Sequence, residues 1–303
     1  MRSKQKRKIN CNEKAWVRFL LYREIYICCN GSTKKQKNIS CLKYEKKMHW
    51  VIQENIFNEV GYNRLIETLI RFDIPHSIVK IIPFSNELVE DINPVGNCIV
   101  MGGYTMWKIA KAKGWTPGSF INKNFDYRIQ NDHWQDYMFN HNCSVERFDS
   151  VPYQYEPFFI RPIYDSKSFT GQVMEWEEFD LWRKSVINLQ TSYCSIRKDD
   201  LVQICDAKHI YAEYRLWVVE GKIVTSSLYK RGGRVYSDED VDPEIIEFGY
   251  QCIHRWGPAR AYCLDIFVGE DGPKIGEVNN INAAGFYKAD IQKLILALNE
   301  MKF

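Results

Sequence analysis

The sequence predicts a mixed fold, α/β in its first part and α+β beyond it. Three observations carry this expectation. From Met48 onwards, apolar runs of strand length alternate with segments of helical spacing. The run GNCIVMGG passes through Gly102-Gly103 directly into a helical stretch. Two long hairpins stand late in the chain, YAEYRLWVV-EG-KIVTSSLYK and YCLDIFVGEDGPKIGEVNNIN. A strand, paired glycines and then a helix is how α/β folds open a ligand crevice at strand ends, although a plain tight turn has the same spelling.

Taken in order, HWVIQE is a short strand and residues 61–72 have helical apolar spacing. IPHSIVKII and GNCIVMGG supply two more strands, and a helix follows over 104–113. Residues 48–120 form an N-terminal α/β subdomain on this reading. A helix is expected over 126–142, then strands over 145–148, 158–163 and 171–175. Residues 176–189 form an amphipathic helix whose stripe of Trp176, Phe179, Trp182, Val186 and Leu189 is core. These elements make a central subdomain, 121–200. A strand over 201–206 opens a C-terminal subdomain, 201–303, which continues through the first long hairpin, a KRGGR turn or basic loop, a helix over 243–255, the second hairpin and a helix over 288–299.

A chain of 303 residues has room for two or three such subdomains around substantial cores. No apolar run approaches the length of a membrane span. Charge is unevenly placed: residues 1–47 hold 14 Lys/Arg against three Glu, and residues 48–303 hold 27 Lys/Arg against 35 Asp/Glu. The basic extension is no secretory signal, because Arg18, Arg23 and Glu24 interrupt its apolar run. We read it as a disordered tail, or as the product of a start assigned too early, with Met48 as the working start. An acidic body without a basic aromatic groove argues against nucleic acid as a partner. The ten cysteines include no CxxC pair, which argues against a zinc site or a disulfide framework and fits a reducing cytoplasm.

Three stretches carry chemistry. In FFIRPIYDSKSFTG, Arg161 stands in an apolar strand and Lys167 in a Ser/Thr/Gly loop. A strand-fixed cation beside a loop that brings a second charge and backbone N–H groups is what a polyphosphate requires. It is not a Walker loop. In the first hairpin, alternation puts Glu213, Arg215 and Trp217 on one face. With Glu220-Gly221 as the turn, Arg215 pairs with Ser226 and shares a face with Lys230; a structural Glu213–Arg215 ion pair is the plain alternative. The second hairpin carries Asp265, Glu277 and Asn279 among apolar neighbours. Carboxylates there are costly unless a cation satisfies them, and a hard divalent ion would engage all three side chains. A two-residue turn at Glu270-Asp271 alone would point Glu277 away from Asp265. A three- or five-residue loop, or a bulge, puts them on one face.

The order of these motifs, cations on a strand and loop, Glu-x-Arg on a hairpin, then Asp and Glu-x-Asn on a last hairpin, resembles the ATP-grasp superfamily, in its branch of small proteins from bacteria and large viruses. The resemblance spans about residues 48–303 and is strongest from Phe158 to Tyr287. It implies an α/β subdomain followed by two α+β subdomains that clamp ATP. It implies Asp265, Glu277 and Asn279 as ligands of Mg²⁺ or Mn²⁺, and Arg161, Lys167, Glu213, Arg215 and Lys230 as nucleotide-binding residues, with Arg215 and Lys167 catalytic. The adenine is expected near Val202–Asp206, Asp206 included. Many superfamily members carry Lys where Arg161 stands, and an Arg fork does not replace a point charge in every geometry. The implied activity joins a small-molecule or peptide carboxylate to an amine or related nucleophile through an acyl phosphate. A non-catalytic nucleotide-binding adaptor is the rival reading.

Overall fold

The computed structural model describes residues 48–54, 61–165, 168–189 and 195–303. The expectations for the basic extension, and for Lys167, lie outside the described residues.

Three sheets organise the described chain. The first is parallel, in the order β2-β1-β3-β4, from β1 (His49–Gln53), β2 (His76–Val79), β3 (Cys98–Met101) and β4 (Pro117–Gly118). Parallel strands are covered on both faces, so they read as continuous apolar runs. Trp50 and Ile52 of β1 join Leu65 and Leu69 of α1 (Tyr62–Arg71) in one core. Val51 faces the other way, toward Met106 and Ile109 of α2 (Tyr104–Ala112).

The second sheet is antiparallel, in the order β5-β8-β6-β7, from β5 (Ser144–Arg147), β6 (Phe158–Pro162), β7 (Gln172–Met174) and β8 (Leu201–Asp206). Along β6, Phe158, Ile160 and Pro162 are buried while Phe159 and Arg161 are half-buried on the opposite face. Ahead of this sheet, α3 (Tyr127–Trp134) is capped by the Asp126 carboxylate, which accepts from the Arg128 N–H. The helix expected to reach residue 142 ends at Trp134, because Gln135 adopts φ +48° and turns the chain into a short 3₁₀ segment. Beyond β7, α4 (Trp176–Leu189) has the expected bounds and sends Phe179 and Val186 into the core beneath β6 and β8. Its stripe stops a turn early, since Leu189 is 61% exposed.

The third sheet runs β11-β10-β9-β12-β13, from β9 (Ala212–Val219), β10 (Lys222–Arg231), β11 (Arg234–Asp238), β12 (Ala261–Gly269) and β13 (Gly272–Asn279). Of the two readings of the KRGGR run, the structure has the tight turn, at Gly232 and Gly233, both at positive φ, and it leads into the unforeseen strand β11. Helix α5 (Pro243–Arg255) covers one face, and Gly249 lets it approach Leu216 of β9 closely. On the other face, Trp217 and Cys263 pack with α6 (Ile291–Asn299), α1 and the first sheet.

Bulges set the register of this sheet. Glu220-Gly221 is the turn of the β9–β10 hairpin, but Val224 and Tyr229 are extra residues in β10, so Arg215 pairs with Ser227 rather than Ser226, and Lys230 pairs with Glu213. The β12–β13 hairpin has the two-residue turn at Glu270-Asp271 and a bulge at Gly276, which brings Glu277 directly opposite Asp265. Asp265 in turn pairs with Arg215 across β9 and β12.

Candidate active site

Arg215, Asp265 and Glu277 therefore stand in one row across three adjacent strands, with Asn279 one step along on the same face. Arg215 grips Asp265 with its fork: Nε donates to Oδ1 and Nη2 to Oδ2, both at 2.7 Å. Asn279 places its amide hydrogens between the two carboxylates, Nδ2 donating at 2.9 Å to Asp265 Oδ2 and at 2.9 Å to Glu277 Oε1. From the second sheet, Arg161 Nη1 reaches Glu277 Oε2 at 2.8 Å. Lys230 Nζ lies 2.7 Å from Glu213 Oε1. The result is a chain of alternating charges that runs from one sheet to the next.

Two tyrosines complete it. Tyr229, the bulge residue of β10, donates its hydroxyl to Glu213 Oε2 at 2.9 Å and lies 3.4 Å from Asp265 Oδ2. Its ring stacks on Tyr287 at 4.8 Å between centroids. The Arg215 guanidinium sits 5.4 Å from the Tyr229 centroid and 5.3 Å from that of Tyr287. No spacing in the sequence marks Tyr229 or Tyr287 as site residues; the bulge and the return of the chain after β13 bring them in.

Burial dominates the electrostatics. Asp265 has no exposed surface, and burial pushes its carboxyl up to about 6, with the Glu277 charge adding to the rise and Arg215 opposing it. Burial also works against the Arg215 charge, but the Asp265 carboxylate outweighs it and holds the guanidinium protonated. The two parallel contacts at 2.7 Å are the geometry of a guanidinium fork on a carboxylate. Burial, then the Asp265 and Glu213 charges, drive the Tyr229 phenol far up, so it remains a donor.

The structure thus brings together Arg161, Glu213, Arg215, Lys230, Asp265, Glu277 and Asn279. Asp206 is not among them: it is exposed at the end of β8, opposite Phe158. Among the described residues no group of three or more His, Cys, Asp or Glu side chains stands ready as a metal cluster. The residue types of Asp265, Glu277 and Asn279 nevertheless fit a hard divalent cation, since all three carry oxygen and share one face, with the Asn279 amide turned so that its N–H groups meet the two carboxylates. Glu277 is the accessible member, with 26% of its side chain exposed. Arg161 occupies the position from which a cation would neutralise it.

The profile of the family described as "ATP-grasp domain, R2K clade family 3" matches residues 100–298. A search of curated proteins gives no significant match. Among solved structures, the chain is similar to D-alanine–D-alanine ligase from Bacillus anthracis complexed with ATP, at 13% identity and a TM-score of 0.54, covering 83% of this chain and 96% of that one. It is also similar to a RimK domain protein ATP-grasp from Sphaerobacter thermophilus DSM 20745, at 15% identity and a TM-score of 0.54, covering 77% of this chain and 91% of that one. The fold is that of the ATP-grasp proteins. The chain belongs to the ATP-grasp domain family, in family 3 of the R2K clade.

Proposed function

We propose that this chain is an ATP-dependent ligase that joins a small-molecule or peptide carboxylate to an amine, or to a thiol, through an acyl phosphate. The observation that carries this reading is the meeting of two sheets at one charged row, with Arg161 of β6 set 2.8 Å from Glu277 of β13. In such a reaction a carboxylate oxygen attacks the γ-phosphorus of ATP and ADP leaves. The amine nitrogen then attacks the carbonyl carbon, phosphate departs and the proton passes to solvent. Mg²⁺ or Mn²⁺, held by Asp265, Glu277 and Asn279, would supply charge neutralisation at the phosphate oxygens. Arg161 approaches from the second sheet and Arg215 from the third, and both present fixed donors where charge develops. Lys167 would add a cation from its loop. Glu213 and Lys230 hold the row in place, and Asp206 lies at the strand end where the adenine would rest. No covalent protein nucleophile is required.

The three sheets support subdomains over 48–120, 121–200 and 201–303, with β8 pairing in the second sheet. The described cysteines Cys98, Cys143, Cys205, Cys252 and Cys263 are free thiols, in keeping with a cytoplasmic setting. Among the described residues no helix is long and apolar enough to cross a membrane. One observation favours the rival reading of a nucleotide-binding adaptor: Asp265 is fully buried with both oxygens engaged by Arg215, as a purely structural pair would be. A screen of ATP turnover with mixed amino acids and peptides, reading phosphate release and product mass, separates the two. A ligase yields phosphate and a condensed product; an adaptor binds ATP and yields neither.

A further inference from the structure

A cavity of 520 Å³ opens between α2 and the segment that follows β6. Tyr104, Trp107, Phe125 and Tyr164 line it, together with Asp165, which is only 8% exposed. Asp165 also borders the narrow space that Arg161 and Glu277 share. Its Oδ2 accepts from the backbone N–H of Asn280, the residue after Asn279, at 3.3 Å. The Asp165 charge also helps to raise the Tyr104 phenol, after burial, so carboxylate and ring are close neighbours. One buried carboxylate thus joins an aromatic cavity to the charged row.

A carboxylate among aromatic rings is the environment that stabilises an ammonium group, by ion pairing and by the negative faces of the rings. Two of these rings already attract cations: Lys108 Nζ lies 5.5 Å from the Tyr104 centroid and Lys111 Nζ lies 5.5 Å from that of Trp107. Lys111 and Lys123 also line the cavity and are exposed, where they suit a carboxylate. We propose that this cavity receives the amine substrate, an α-amino acid with a large apolar side chain. Its ammonium pairs with Asp165, its apolar body lies among the four rings, and its carboxylate meets Lys111 and Lys123. This deepens the ligase reading and rests on it only for the fate of the bound amine. Asp165 acts as a binding and positioning group, beside the place where Arg161 and Glu277 meet.

The test is direct binding to the full chain with ADP present, followed by calorimetry and by tryptophan fluorescence, because Trp107 lines the cavity. The probes are L-phenylalanine, N-acetyl-L-phenylalanine, which lacks the cation, and 2-phenylethylamine, which lacks the carboxylate. Phenylalanine binds and perturbs the fluorescence, the N-acetyl form binds about tenfold more weakly or worse, and phenylethylamine loses only the smaller contribution of the exposed lysines. Asp165→Asn weakens phenylalanine by about tenfold or more and leaves ADP affinity unchanged, which also shows that the variant is folded. Trp107→Phe keeps binding and removes the fluorescence change. Equal binding of phenylalanine and its N-acetyl form, an unchanged affinity in Asp165→Asn, or no binding of phenylalanine by protein that binds ADP each overturn the assignment. The ligase reading fails separately, if phenylalanine binds as expected and no carboxylate elicits ATP turnover.

Discussion

Asp265 has no contact with solvent, and its two oxygens are held at 2.7 Å by the Arg215 fork. Burial nevertheless outweighs the fork, so the fold favours the neutral carboxyl more than water does, and urea unfolding of the parent protein and of Asp265→Asn across pH reads the difference. The pH dependence has a definite sign. The carboxyl titrates near 6 in the folded protein against an ordinary 3.8. The folded state thus holds this proton more tightly, and the group's contribution to stability is full below about pH 4 and lost as pH rises through about 6. The stability gap between the parent protein and Asp265→Asn is therefore wider at pH 4 than at pH 7. The opposite trend in unfolding midpoints would mean that Arg215 rather than burial governs the proton. Glu277 is more open and paired with Arg161. Glu277→Gln keeps its volume and removes one charge, so turnover of ATP should fall by about two orders of magnitude or more while nucleotide affinity falls modestly. Arg215→Lys should likewise depress turnover more than affinity, because a single ammonium cannot reproduce two parallel donors. Parent-like turnover in Glu277→Gln would make the carboxylate structural.

At the scale of elements, bulges do the positioning. Gly276 is the extra residue of β13, and a Cβ there would meet the Phe267 ring at 2.5 Å. Phe267 itself packs edge-on against Phe139, 5.7 Å away between centroids, which restricts where the ring can go. Gly276→Val should therefore destabilise the protein by about 1–3 kcal/mol, the usual cost of overpacking, and displace Glu277 from its partners. Thermal unfolding reads the first effect and ATP turnover the second. An unchanged melting temperature would show that the ring swings aside without strain. The bulge in β10 has a parallel role, since Tyr229 is the residue it adds and Tyr229 bridges Glu213 and Arg215.

At the scale of the whole molecule, the charged row joins the second sheet to the third, while Trp217 and Cys263 join the third to the first. The described elements of this frame lie within residues 48–303. We predict that deleting residues 1–47 changes the melting temperature by no more than about 2 °C, within the shift that surface changes produce, and leaves ATP affinity intact. Differential scanning fluorimetry with and without ATP measures both, and a loss of several degrees would assign the basic segment a part in the fold.

The sequence by itself determined the class of the fold, the order of the charged motifs and most elements, including the bounds of the helices at 176–189 and 243–255. Apolar spacing and turn residues are local properties, and these elements obey them. It also put Asp265, Glu277 and Asn279 on one hairpin, with the condition that a bulge or an odd loop must align them. Tertiary structure chose the bulge at Gly276, moved the partner of Arg215 from Ser226 to Ser227, ended α3 at Trp134 and left Leu189 in solvent. It alone assembled Tyr229, Tyr287 and Asp165 around the row, from segments distant in the chain. Alternation along a strand counts residues but does not register an extra one, and a side chain drawn in by a partner on another sheet leaves no periodic trace.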